Sequence, residues 1–77
     1  PFYVAKIYTR EDEFNIAPRL DQVATANPDV EIGSYPTFTR DDYRVKITIE
    51  AKEEAAVERA RVALLALLDA AAIAEVE

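Results

Sequence analysis

Residues 43–50 read Tyr43-Arg44-Val45-Lys46-Ile47-Thr48-Ile49-Glu50, and their strict alternation decides the fold class. In an extended chain successive side chains point to opposite sides, so Tyr43, Val45, Ile47 and Ile49 share one face. Arg44, Lys46, Thr48 and Glu50 share the other. A strand that is apolar on one side only covers a core with that side and leaves the other polar. The layer it covers must come from the rest of the chain.

That layer follows directly. From Lys52 onward, Val57, Ala60, Leu64, Leu67, Leu68 and Ala71 recur at three- and four-residue intervals, which predicts an amphipathic helix running to about Ala72, followed by a tail over 73–77. Glu53, Glu54 and Glu58 near its start suit the positive end of the helix dipole. Before the alternating strand, Val30 to Tyr35 sets Val30, Ile32 and Ser34 against Glu31, Gly33 and Tyr35, a second strand ending at Pro36. Gly33 within it signals a bulge or a close backbone approach. The polar stretch Pro36 to Asp42 then serves as a loose hairpin loop, so these two strands pair antiparallel.

Phe2 to Thr9 is rich in β-branched and aromatic residues and reads as another strand, with Tyr3, Ala5 and Ile7 opposite Phe2, Val4, Lys6 and Tyr8. Asn15 to Asn27 places Ile16, Leu20, Val23 and Ala24 at helical spacing. Proline costs about 3 kcal/mol inside a helix and little in its first turn, so Pro18 sets the helix start near Asn15. Asn27-Pro28-Asp29 ends it. The order β-α-β-β-α predicts a single α+β domain over 1–77, a βαββα two-layer sandwich. Its three-stranded sheet carries two helices on one face, that of Tyr43, Val45, Ile47 and Ile49. The opposite face, with Phe2, Val4, Lys6, Tyr8, Arg44 and Lys46, is apolar enough to be a docking surface for another domain.

Composition narrows the function. Seventy-seven residues bury only roughly 60% of their unfolded surface, so the core is thin. There is no cysteine or histidine, hence no disulfide framework, no thiolate or imidazole metal site and no Ser-His-Asp chemistry. The one glycine rules out glycine-rich phosphate loops. A net charge of −6 repels phosphate backbones and anionic membranes, so nucleic acid and membrane are not expected partners. No apolar run reaches the ~20 residues of a bilayer span, and the chain is expected in the cytoplasm. The sequence opens at Pro1 without an initiating methionine or leader, which leads to the expectation of a piece cut from a longer polypeptide.

No catalytic residue, metal ligand or cofactor emerges. The acidic clusters Glu11-Asp12-Glu13 and Asp41-Asp42 lack the glycine-centred spacing of a calcium loop and read as helix-start and turn charges. Two groups stand out as ligand or interface residues. Lys6, Arg44 and Lys46 beside Tyr8 form either a small patch for an anionic or aromatic ligand or a set of edge charges facing solvent or a neighbour. Gly33, Ser34, Tyr35 and Pro36 form either a contact site or a strand terminator with Tyr35 packed over the sheet.

Several stretches together resemble a known family. These are Ile7-Tyr8, Asp12-Glu13 with Ile16-Ala17-Pro18 and Leu20, Asn27-Pro28-Asp29-Val30, Ile32-Gly33-Ser34-Tyr35-Pro36 and Tyr43-Arg44-Val45-Lys46-Ile47, with the helix around Val57. The chain resembles the accessory α+β region that follows the molybdopterin-binding-like domain in the CinA (competence/damage-inducible protein A) and FAD synthase-like family. The resemblance implies flavin or pyridine nucleotide metabolism, a parent protein acting as a nucleotide pyrophosphatase, deamidase or adenylyl transferase, and no catalytic role for this chain. The implied partner is a molybdopterin-binding-like catalytic domain or a second copy of the chain. The alternative is a small-molecule sensing domain that holds an anionic nucleotide at Tyr35, Arg44 and Lys46. Such regions are described as KH-like, but this chain lacks the G-x-x-G loop with which KH modules clamp nucleic acid.

Overall fold

The alternating stretch forms the strand at the heart of the sheet. In a computed structural model that describes all residues from Pro1 to Glu77, Val45, Ile47, Ile49 and Ala51 are buried on one side of it. The chain runs through strand β1 (Tyr3–Thr9), helix α1 (Glu13–Ala26), β2 (Glu31–Pro36), β3 (Val45–Ala51), α2 (Glu54–Leu67), a 3₁₀ turn (Ala70–Ala72) and β4 (Ile73–Val76). The strands lie in the order β2-β3-β1-β4, each antiparallel to its neighbours. β1 and β2 therefore run parallel with β3 inserted between them, the split βαβ of ferredoxin-like domains.

The sheet has four strands, which corrects the three expected from the sequence. The missing strand lies in the tail. The apolar spacing predicts a helix to about Ala72, yet α2 stops at Leu67. Leu68 is buried in extended conformation, and the Asp69 side chain accepts the Ala71 N–H at 3.0 Å to form the 3₁₀ turn. Ala72 then accepts the Arg10 N–H at 2.8 Å, which brings β4 onto the free side of β1. The α+β class and the antiparallel β2–β3 pairing match expectation.

Both helices pack on the Ala5/Ile7 and Val45/Ile47/Ile49 side, where Ile16, Leu20 and Val23 of α1 and Val57, Ala60 and Leu64 of α2 complete the core. Helix α1 begins at Glu13 rather than Asn15, so Pro18 lies inside it. Pro18 has no N–H for the Phe14 carbonyl, but both residues are exposed and water reaches that carbonyl.

Asn27 joins the two helices. It is buried, its Nδ2 donates to the Val23 carbonyl at 2.8 Å, and its Oδ1 accepts from Arg59 Nε at 2.7 Å. The same guanidinium grips both oxygens of Asp29 at 2.6 and 2.8 Å. The Arg59 hydrogen bond holds the exposed Asp29 carboxyl below the usual aspartate range. A carboxyl depressed in the folded state adds stability above its unfolded pKa and loses it as pH falls through the folded value. Asp29 is therefore expected to titrate below an ordinary aspartate in an NMR pH series and to return to the ordinary range in Arg59→Gln. Identical titration in both proteins would contradict the clamp.

Candidate functional site

The sheet is covered on one side only. Its open face takes Val4, Lys6 and Tyr8 from β1, Lys46, Thr48 and Glu50 from β3, Gly33 and Tyr35 from β2, and Glu75 from β4, as the pairing registers dictate. Tyr8 lies opposite Lys46, and Lys46 opposite Tyr35, so these three side chains cross the face in one row near its hairpin end. The Lys46 ammonium sits 5.9 Å from the centre of the Tyr35 ring. Tyr43 packs edge-on to Tyr8, with ring centres 4.8 Å apart, and the Arg40 guanidinium lies 5.1 Å above the Tyr43 ring.

Acidic groups lie near the cations. Tyr8 donates its hydroxyl proton to Glu77 Oε1 at 3.0 Å. That bond and the nearby charges of Lys6 and Lys46 hold the Glu77 carboxyl below its ordinary value. The neighbouring Glu77 carboxyl pushes Glu75 up, and desolvation followed by the Glu77 bond raises the Tyr8 phenol. The face is thus aromatic toward its hairpin end and carries both lysines and carboxylates.

Of the residues singled out by sequence, Lys6, Tyr8, Tyr35 and Lys46 come together on this face, and Gly33 lies in its floor. Ser34 points the other way and donates to Glu13 Oε2 at 2.7 Å. Pro36 ends β2, and with exposed Arg44 it lines a cleft of about 510 Å³ at the hairpin end, away from Lys6 and Lys46.

Tyr43 is misplaced by the alternation, which put it with Val45 on the buried side. β3 begins only at Val45. At Arg44 the N–H donates to Thr9 of β1 while the carbonyl accepts from Thr37, on the β2 side, both at 2.8 Å. A regular antiparallel residue aims both groups at the same neighbour, so the pleat is broken there and Tyr43 swings to Tyr8. Sequence reasoning also passed over Phe14 and Phe38, which are 92% and 94% exposed on the walls of the hairpin-end cleft. Their aromatic character was the only available signal.

Gly33 marks a close approach rather than a bulge, since β2 and β3 pair without a register shift. A Cβ on Gly33 would stand 3.1 Å from both Thr48 Oγ1 and the Tyr35 hydroxyl. Tyr35 is exposed and its ring tip is free to move, so Gly33→Ala is expected to change stability by less than about 1 kcal/mol while displacing Tyr35. Thermal melts and Tyr35 ring shifts check this; a large loss of stability would show the ring to be locked.

Several of the acidic residues are bound up in structure. Arg19 holds both oxygens of Glu11 at 2.9 Å, and Glu11 also accepts the Asp69 N–H at 3.2 Å. Asp42 is gripped by Arg40 and Glu58 by Arg61. No set of three or more acidic side chains is placed to hold a metal ion.

The FAD synthase middle-domain family matches residues 1–77. The chain belongs to that family. A probable FAD synthase of Caenorhabditis briggsae is 41% identical over 64 residues, which cover 80% of this chain and 12% of that protein. The chain thus spans about an eighth of the length of this curated relative. The FAD synthase part of the resemblance is thereby shown. No helix of this middle domain is long and apolar enough to cross a membrane.

Proposed function

We propose that the chain is a noncatalytic packing module that lays its open sheet face against a neighbouring domain of a flavin-nucleotide-processing protein. The uncovered face carries this reading. Val4 and Tyr35 are 49% and 56% exposed, and Phe2 at the rim is also exposed, so a sheet with one core layer presents aromatic and apolar surface on its other side. Aromatic rings flanked by charged side chains are the composition of an interface core with a polar rim. The position of the family between other domains, given by its description as a middle domain, supplies a neighbour. A molybdopterin-binding-like domain, as in CinA-type relatives, is the partner this reading favours. The noncatalytic part rests on the absence of histidine and cysteine and on carboxylates already held by arginines.

The second reading, a nucleotide site on the same face, draws on the Lys46 ammonium beside the Tyr35 ring. Ligand sites are concave, and none of the three main clefts is lined by Tyr8, Tyr35 or Lys46. The packing reading is therefore preferred.

The test is the pair Tyr8→Ala and Lys46→Glu in the full-length protein. The double variant is expected to weaken coupling between this domain and the rest by about 1–3 kcal/mol, seen as an earlier, separate unfolding transition. An unchanged melting profile counts against the packing role. Saturable protection of the unaltered protein by FAD or ADP-ribose that the double variant alone abolishes would favour the nucleotide site.

A further inference from the structure

The pairing register fixes a spacing on the open face. Tyr35 of β2 and Tyr8 of β1 flank Lys46 of β3 in one row, and Glu75 of β4 lies next beyond Tyr8. Adjacent strands lie about 4.8 Å apart, so two tyrosines separated by one strand stand about 9.6 Å apart. A polyproline II helix has three residues per turn and rises about 3.1 Å per residue, which sets side chains i and i+3 on one side about 9.3 Å apart. The two spacings coincide. A polyproline II rod laid across the strands places one side chain on each tyrosine ring.

We propose that the part of the neighbouring domain that meets this face is a polyproline II segment with proline at positions i and i+3, over Tyr35 and Tyr8, and an acidic residue between them. The inference rests on the packing role proposed above and names the chemistry of what is packed. Aromatic surfaces are what such segments dock on. The Tyr35 ring is more than half exposed, and the Lys46 ammonium stands to its side at 5.9 Å. Tyr8 is already held by the edge-on Tyr43 ring and by its bond to Glu77, so little freedom is lost when a partner covers it. The backbone groups of the inner strands β1 and β3 are taken up by pairing, and the face offers a partner side chains only. Proline has no N–H to leave stranded against such a surface. Charge complementarity supplies the remaining feature. Lys46 lies between the two rings and forms no ion pair within the domain, which calls for a carboxylate at i+1 or i+2. Glu75 disfavours an acid beyond the proline on Tyr8, so the acidic residue belongs between the prolines.

NMR of the full-length protein carrying isotope-labelled proline tests this, because a proline seated on an aromatic ring has its δ-protons shifted upfield by the ring current. Two prolines from outside this domain, three residues apart, are expected to show that shift at every protein concentration. Tyr35→Leu is expected to abolish it for one of them, with the amide spectrum of the domain otherwise unchanged. Shifted prolines that ignore both Tyr35→Leu and Tyr8→Leu overturn the proposal, since their ring then lies elsewhere. Shifts that vanish on dilution overturn it as well, because a second copy would be the source. Hydroxyl-radical oxidation of Tyr35 separates this inference from the packing role. Slow oxidation without any shifted proline means that a surface of other chemistry covers the face, which overturns the inference and leaves the packing role standing; fast oxidation overturns both.

Discussion

Ile47→Ala is expected to destabilise the domain by roughly 3–5 kcal/mol, the upper range for deleting a buried isoleucine side chain. Ile47 is completely inaccessible on β3, pairs with Ile7 on one side and Ser34 on the other, and faces the helices. The cavity has little room to collapse because the hydrogen-bonded neighbours on both sides hold the strand in place. A domain of this size has a total stability of about 4–12 kcal/mol, so the variant approaches the unfolding threshold at ambient temperature. Chemical denaturation is expected to show a midpoint far below the parent. Lys46→Ala, one residue away on the open face, is expected to shift it by no more than about 0.5 kcal/mol. Equal effects at the two positions would mean that the core is not on the helix side.

Asn27→Ala follows at about 2–3 kcal/mol, a large effect for one polar side chain. The buried amide closes the end of α1 on the Val23 carbonyl and receives Arg59 from α2. Removing it leaves a carbonyl unpaired away from water, and an orphaned buried group costs more than an average hydrogen bond contributes. Asn27→Asp is the sharper experiment. A carboxylate improves the attraction for Arg59 but replaces the donor to Val23 with an acceptor 2.8 Å from another acceptor. Asn27→Asp is therefore expected to be at least as damaging as Asn27→Ala in denaturant melts. A stabilised Asn27→Asp would show that the arginine contact, and not the helix cap, is the main role of Asn27.

The core was legible in the sequence because its signal is periodic. The alternation of Val45, Ile47 and Ile49 and the spacing of Ile16, Leu20 and Val23 each placed a buried face correctly. β4 was not legible for a physical reason. Ala70 to Ala72 has the highest helix propensity available, and Ile73 to Val76 is too short to establish a period of two. Tertiary bonds decide the matter, through Asp69 to Ala71 and Arg10 to Ala72.

The open face was half legible. Lys6, Tyr8 and Lys46 share it because they lie within regular strand, where parity holds. Parity fails at Arg44, and with it the assignments of Tyr43 and Arg44. Ser34 and Tyr35 are adjacent in one stretch of sequence but fall on opposite faces of the sheet. That stretch is accordingly both part of the open face and part of the contact between β2 and the start of α1.

The central claim is that this face is covered in the full-length protein, and side-chain footprinting with hydroxyl radicals tests it most directly. Each rate is normalised to the same residue in the unfolded chain. Tyr8, Tyr35 and Tyr43 are expected to be oxidised several-fold more slowly than Phe38, which stands clear of the sheet at 94% exposure. Oxidation of Tyr35 as fast as Phe38 would contradict the account, because the face would then be open to water in the assembled protein.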